Sequence, residues 1–107
     1  MTQRLPYLLQ LLESSPRDSF VLFATAKEYE KQGDLPQALA FYEQLRHLDP
    51  AYVGLYYHLG KLHEQAGRFD TAVDCYRAGI AVARQAGDHH ALGELAAAKL
   101  NLIDDDE

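Results

Sequence analysis

The feature that most constrains this chain is a rhythm: shifted by 34 residues, the sequence falls on itself. Lys27 meets Lys61, Glu30 meets Glu64, Gly33 meets Gly67, Ala38 meets Ala72 and Tyr42 meets Tyr76. Leu35 with Phe69, Leu39 with Val73 and Tyr29 with His63 are conservative matches in the same register. The register extends upstream, where segment 7–16 lies over 41–50, with Gln10 on Gln44, Leu11 on Leu45 and Pro16 on Pro50. A period of this length marks an array in which each repeat is one supersecondary unit that buries its apolar face against a neighbour. The first helix therefore reads as the second half of a repeat without its first half.

The local chemistry agrees with helical hairpins. Between Val21 and Tyr29 apolar residues recur at three- and four-residue spacing, the period of an amphipathic helix. Gly33 and Gly67 each follow such a stretch, where a left-handed residue closes a helix. Asp34 is placed to cap the next helix, with Pro36 in its first turn. Gly87 and Asp88 repeat that pair of signals. Ala38 and Ala72 stand where two helices of a hairpin cross closely. These signals predict helices over 4–14, 18–32, 35–48, 52–66, 69–86 and 89–103, the last carrying an apolar stripe of Leu92, Leu95, Ala96, Leu102 and Ile103.

These residues resemble the tetratricopeptide repeat (TPR) family, whose pattern runs W-x2-L-G-x2-Y, then A-x3-F, then P. From Leu22 the chain supplies Leu22, Thr25, Ala26, Tyr29, Ala38, Tyr42 and Pro50; from Tyr56 it supplies Tyr56, Leu59, Gly60, His63, Ala72 and Tyr76. It departs from the pattern at Leu22 for Trp, Thr25 for Leu, His63 for Tyr, and Arg84 where Pro would close the second repeat. The last departure implies a helix that runs on, and segment 81–95 resembles family variants whose second helix gains a turn or two. The resemblance covers about residues 4–103. It implies an all-α fold, a right-handed TPR-type stack of antiparallel helix pairs with about six helices. It also implies one domain over 1–103: an N-terminal capping helix or half repeat at 4–16, repeat one at 19–52, repeat two at 53–86 and a C-terminal capping helix at 88–103, followed by an acidic tail at 104–107. The implied role is a non-catalytic protein–protein interaction module, a scaffold or adaptor that holds a peptide or protein segment in its concave groove.

In a stack of this kind the first helix of each pair lines the concave surface. The repeat phase then puts Phe20, Phe23, Lys27 and Glu30 of the second helix on the groove side, and Tyr57, Lys61 and Glu64 of the fourth, with His58 at the edge. Leu22, Ala26, Tyr29, Tyr56, Leu59, Gly60 and His63 go to the core. Large aromatics on a face the core does not need mark an interaction site. Lys27 and Lys61 at one phase set two cations along one wall, which suits an extended peptide with apolar side chains and a carboxylate. Two other readings stand beside this one. Phe20 and Phe23 pack on the first helix or in a homodimer contact, or the pairs Lys27–Glu30 and Lys61–Glu64 only solubilise their helices. Some family members grip the acidic C-terminus of a chaperone with a clamp of Lys, Asn and Arg. Here the corresponding places hold Phe23, Lys27 and His58, so no chaperone-tail receptor is expected.

Composition narrows the remaining classes. With 16 acidic against 10 basic side chains the net charge is −6, which disfavours a nucleic-acid or anionic-membrane partner. Part of that imbalance is the run Asp104, Asp105, Asp106 and Glu107. Cys75 is the only cysteine, which excludes an intrachain disulfide and fits a reducing, cytoplasmic setting. No apolar run reaches the roughly 18 residues of a membrane span, and no cleavage site follows the apolar stretch 5–12. His47, His58, His63, His89 and His90 include no i, i+4 pair, so no metal is expected. Cys75 has no histidine placed in sequence to activate it, and no Gly-rich phosphate loop occurs. Neither a cofactor nor catalysis is expected.

Overall fold

The computed structural model describes residues 4–103. The acidic run 104–107, expected as a tail, lies outside them. The described residues form six helices and no strand: α1 (Arg4–Ser14), α2 (Ser19–Lys31), α3 (Leu35–Leu48), α4 (Gly54–Gln65), α5 (Phe69–Ala86) and α6 (His89–Leu100). The all-α architecture read from the repeat is the one observed. The chain divides between Tyr52 and Val53 into two compact units. In the first, α2 and α3 pack as a hairpin and α1 lies on α2; in the second, α4 and α5 pair and α6 lies on α5 and, less extensively, on α4.

The turns follow from two adjacent residue types. Gly33 takes φ 83°, a conformation that carries no steric penalty without a Cβ. Its N–H donates to the Glu30 carbonyl at 3.0 Å and the Asp34 N–H donates to the Tyr29 carbonyl at 2.9 Å, which satisfies two orphan acceptors at the end of α2. Asp34 then accepts from the Gln37 N–H at 3.3 Å and starts α3. Gly87 and Asp88 do the same between α5 and α6, with Asp88 accepting from the Ala91 N–H at 3.0 Å. Asp18 caps α2 in the same way through the Val21 N–H at 3.1 Å.

The second hairpin makes the same backbone turn at Gly67, with φ 79°, but lacks the side-chain cap. Arg68 stands at the repeat position of Asp34 and gives no side-chain cap to α5. Its Nε instead donates to His63 Nδ1 at 3.0 Å. His63 is buried, as its phase predicts, and the arginine satisfies its acceptor nitrogen. The corresponding Tyr29 is only half-buried and stacks on Phe41, with ring centroids 5.6 Å apart. The core expected at Tyr29 is therefore a partly exposed aromatic stack.

Close packing explains the small residues. Ala26, Ala38 and Ala72 are fully buried. Gly60 lies against the ring of Tyr76, and a Cβ at this position would fall on that ring. Gly79 lies against Tyr56 and Leu95, so α5 approaches both of its neighbours there. Around these contacts Leu22, Tyr42 and Leu45 are buried in the first unit, and Leu55, Leu59, Tyr76 and Leu95 in the second.

Two helix ends bear on the sequence reading. α3 stops before Asp49 and Pro50, whereas α5, with Arg84 in place of that proline, continues to Ala86 as expected. α6 ends at Leu100, three residues short of the predicted 103. The Leu102 and Ile103 N–H groups both turn back onto the Lys99 carbonyl, at 3.0 and 3.1 Å, tightening the last turn. Continuing the helix would bring its negative end against the acidic run that follows in sequence.

Candidate interaction face

On α2, Phe23, Lys27 and Glu30 are one turn apart and form a connected cluster with α3. The Lys27 ammonium lies 5.4 Å from the centroid of the half-buried Phe23 ring. That ring tilts against Tyr52 at 5.1 Å and Tyr42 at 6.1 Å. The Tyr42 hydroxyl donates to Glu30 Oε1 at 2.8 Å. At the start of the helix, Ser19 Oγ donates to Asp49 Oδ2 at 2.6 Å and ties the opening of α2 to the end of α3. Phe20 stands one turn before Phe23 and is 66% exposed.

The second unit builds the same cluster from its own residues. The Lys61 ammonium lies 5.5 Å from the Tyr57 ring centroid and 3.7 Å from Glu64 Oε1. The Tyr76 hydroxyl donates to that same oxygen at 2.8 Å. His58 meets Tyr57 edge-on, with centroids 5.8 Å apart. Thus Phe23, Lys27 and Glu30 are brought together in one unit, and Tyr57, His58, Lys61 and Glu64 in the other.

The electrostatics of the two clusters are alike. Burial first, and the bond to the Glu30 carboxylate second, push the Tyr42 hydroxyl far above the usual tyrosine range. Burial and then Glu64 do the same to Tyr76. Both phenols therefore stay protonated donors to their glutamates. Tyr52 is also raised, by burial and then by Asp49 and Asp18. A cation over an aromatic face is attracted by the ring quadrupole, worth about 0.5–1 kcal/mol at exposed sites, so each lysine is held near its ring.

Tyr42, Tyr52 and Tyr76 are members of these clusters that the groove assignment did not include. The repeat identity of Tyr42 and Tyr76 was the available signal, whereas Tyr52 follows α3 and no pattern singles it out. Among the described residues no group of three or more His, Cys, Asp or Glu side chains is placed to hold a metal ion. No helix among them is long and apolar enough to cross a membrane.

Two tandem helical hairpins carrying the same side-chain cluster at the same phase define a helical-repeat protein. The chain belongs to the tetratricopeptide repeat family: the family model described as Tetratricopeptide repeat matches residues 29–101. It is similar to a tetratricopeptide repeat domain protein from Salinibacter ruber. The crystal structure of that protein shares 48% identity at a TM-score of 0.77 and covers 79% of this chain and 94% of its own. Its solution structure gives the same identity and TM-score, with coverages of 81% and 88%. The solution structure of a Bordetella parapertussis protein shares the fold at 24% identity and a TM-score of 0.82, covering 95% of this chain and 89% of its own. No curated protein matches the sequence. Repeats of this family generally mediate protein–protein interaction and serve as non-catalytic scaffolds.

Proposed function

We propose that this protein is an adaptor that binds an extended peptide or protein segment through two clusters, Phe20, Phe23, Lys27 and Glu30 of α2 and Tyr57, His58, Lys61 and Glu64 of α4. The observation that carries this reading is the duplicated cluster, in which each lysine rests over an aromatic ring and each glutamate accepts from a tyrosine. Rings held in place lose little freedom on binding and offer apolar contact, while the lysines match a carboxylate or a carbonyl of the guest. In this reading α1 and α6 cap a two-repeat domain, the chain has no catalytic role, and the lone cysteine fits work in the cytoplasm. Self-association of two copies through an exposed apolar face is the second reading, supported by the exposure of Phe20.

A phage-displayed library of random peptides tests the proposal. Enriched peptides are expected to bind the full chain in calorimetry and to lose at least tenfold in affinity with F23A/Y57A. Peptides that bind that folded variant as tightly as the parent contradict the assignment. Light scattering over a concentration series tests the second reading.

A further inference from the structure

The side of α2 that packs against α1 carries a carboxylate that the interaction face does not use. Glu28 is 4% exposed; its Oε1 lies 3.2 Å from Arg4 Nε, and its Oε2 is buried with no hydrogen-bond partner. The same repeat position in the second unit holds Leu62, which is equally buried. A leucine fills such a place without the desolvation that a buried carboxylate requires. Glu28 therefore adds selectivity to packing: it favours a covering helix that brings a cation to this end of the seat. α1 brings Arg4, and Leu8 and Leu11 follow at i+4 and i+7 on the same helix face. Leu8 joins Val21 and Ala24 in an apolar cluster, with Leu11 and Leu12 packed against it.

Leu8 is the only buried residue of α1, and α2 is its principal packing partner. The connector 15–18 is a turn in which the Asp18 N–H donates to the Ser15 carbonyl at 3.2 Å.

We infer that this side of α2 is an exchangeable helix-docking seat, and that the α1 of a second copy of the chain takes it to form a dimer with swapped first helices. The contacts of Arg4 with Glu28 and of Leu8 with Val21 and Ala24 are the same whichever chain supplies α1. Exchange therefore sacrifices only the turn at 15–18 and is driven by protein concentration.

Two charge-reversed full-length variants, R4E and E28R, provide the test. Each alone sets like charges against each other at the seat. In an equimolar mixture, each α1 finds an oppositely charged partner only on the other variant, so exchange restores both pairs at once. After the mixture is warmed and cooled, light scattering is expected to show a species of twice the monomer mass, and native mass spectrometry one copy of each variant in it. The double variant R4E/E28R, with its pair rebuilt within one chain, is expected to be no more dimeric than wild type. A mixture that stays monomeric overturns the inference. A dimer formed equally by each variant alone also overturns it, because the interface then lies elsewhere. Should either variant lose its helical circular dichroism, a Gly/Ser insertion after Ser15 of the wild-type chain decides instead. A longer connector relaxes the turn and favours α1 docked on its own chain, which lowers the dimer fraction reached by wild type at the same concentration, and an unchanged fraction overturns the inference.

Discussion

Tyr42 of α3 donates its hydroxyl to the Glu30 carboxylate of α2 at 2.8 Å. The same bond at the same distance recurs 34 residues later between Tyr76 and Glu64. Each hairpin therefore joins its two helices through a charge-assisted bond next to the lysine and aromatic ring of the proposed face. The tyrosine ring fills the core while its hydroxyl reaches the edge, so one side chain links packing to the chemistry of the surface.

Removing either hydroxyl should weaken its hairpin. Hydrogen bonds to charged groups contribute about 1.5–3 kcal/mol, and the partly solvated glutamates place these at the lower end. Tyr42→Phe and Tyr76→Phe are each expected to reduce the free energy of unfolding by about 1.5 kcal/mol in urea titrations. Wild-type stability in both variants would show that the bonds contribute nothing.

The raised tyrosines also make stability depend on alkaline pH. In the unfolded chain each phenol ionises near its ordinary value of 10.0, whereas in the folded protein it holds its proton far higher. The unfolded state then binds fewer protons, so stability is fully present below about pH 10 and falls above it, by about 1.4 kcal/mol per pH unit for each tyrosine. Denaturation curves between pH 10 and 12 should approach this slope in wild type and a shallower one in Y42F/Y76F. Identical slopes would contradict the assignment.

Two helical glycines should respond in opposite directions to the same substitution. A Cβ at Gly60 meets the Tyr76 ring, and one at Gly93 of α6 meets nothing within 4 Å. Gly60→Ala is expected to destabilise by about 1–3 kcal/mol through overpacking. Gly93→Ala should stabilise by up to about 1 kcal/mol through helix propensity. Thermal denaturation of the pair reads the signs directly, and a stabilising Gly60→Ala would contradict the close approach of α4 and α5.

Helix capping gives a fourth comparison. Asp18, Asp34 and Asp88 each accept a backbone N–H, whereas Arg68 caps nothing with its side chain. Replacing any one of the three aspartates with alanine should cost about 1 kcal/mol. Loss of the hydroxyl and carboxylate pairs described above should add to that cost independently, because the sites do not share partners.

What was legible in the sequence was the local chemistry and the period. Gly33 followed by Asp34, and Gly87 followed by Asp88, mark helix ends because the turn is decided by the residues within it. Ala38 and Ala72 read as crossings because they recur at one phase, and Gly60 read as core because it matches the family pattern. The partners of Glu30 and Glu64 were not legible: the period aligns like with like but does not say that a tyrosine 12 residues on reaches back. The burial of Glu28 was hidden for a related reason, since its cover comes from Arg4 and α1, outside the repeat that contains it. The end of α6 was read too late, because the apolar Leu102 and Ile103 fit a helical stripe although the backbone turns before them.

Amide chemical-shift mapping of the labelled full chain with a peptide selected on it reads whether the α2 and α4 clusters bind the guest. Shifts concentrated at Phe23, Lys27, Tyr57 and Lys61, and saturating together as peptide is added, are the predicted result. Shifts confined to the outer surfaces of α3 and α5, with those four residues unmoved, would contradict it.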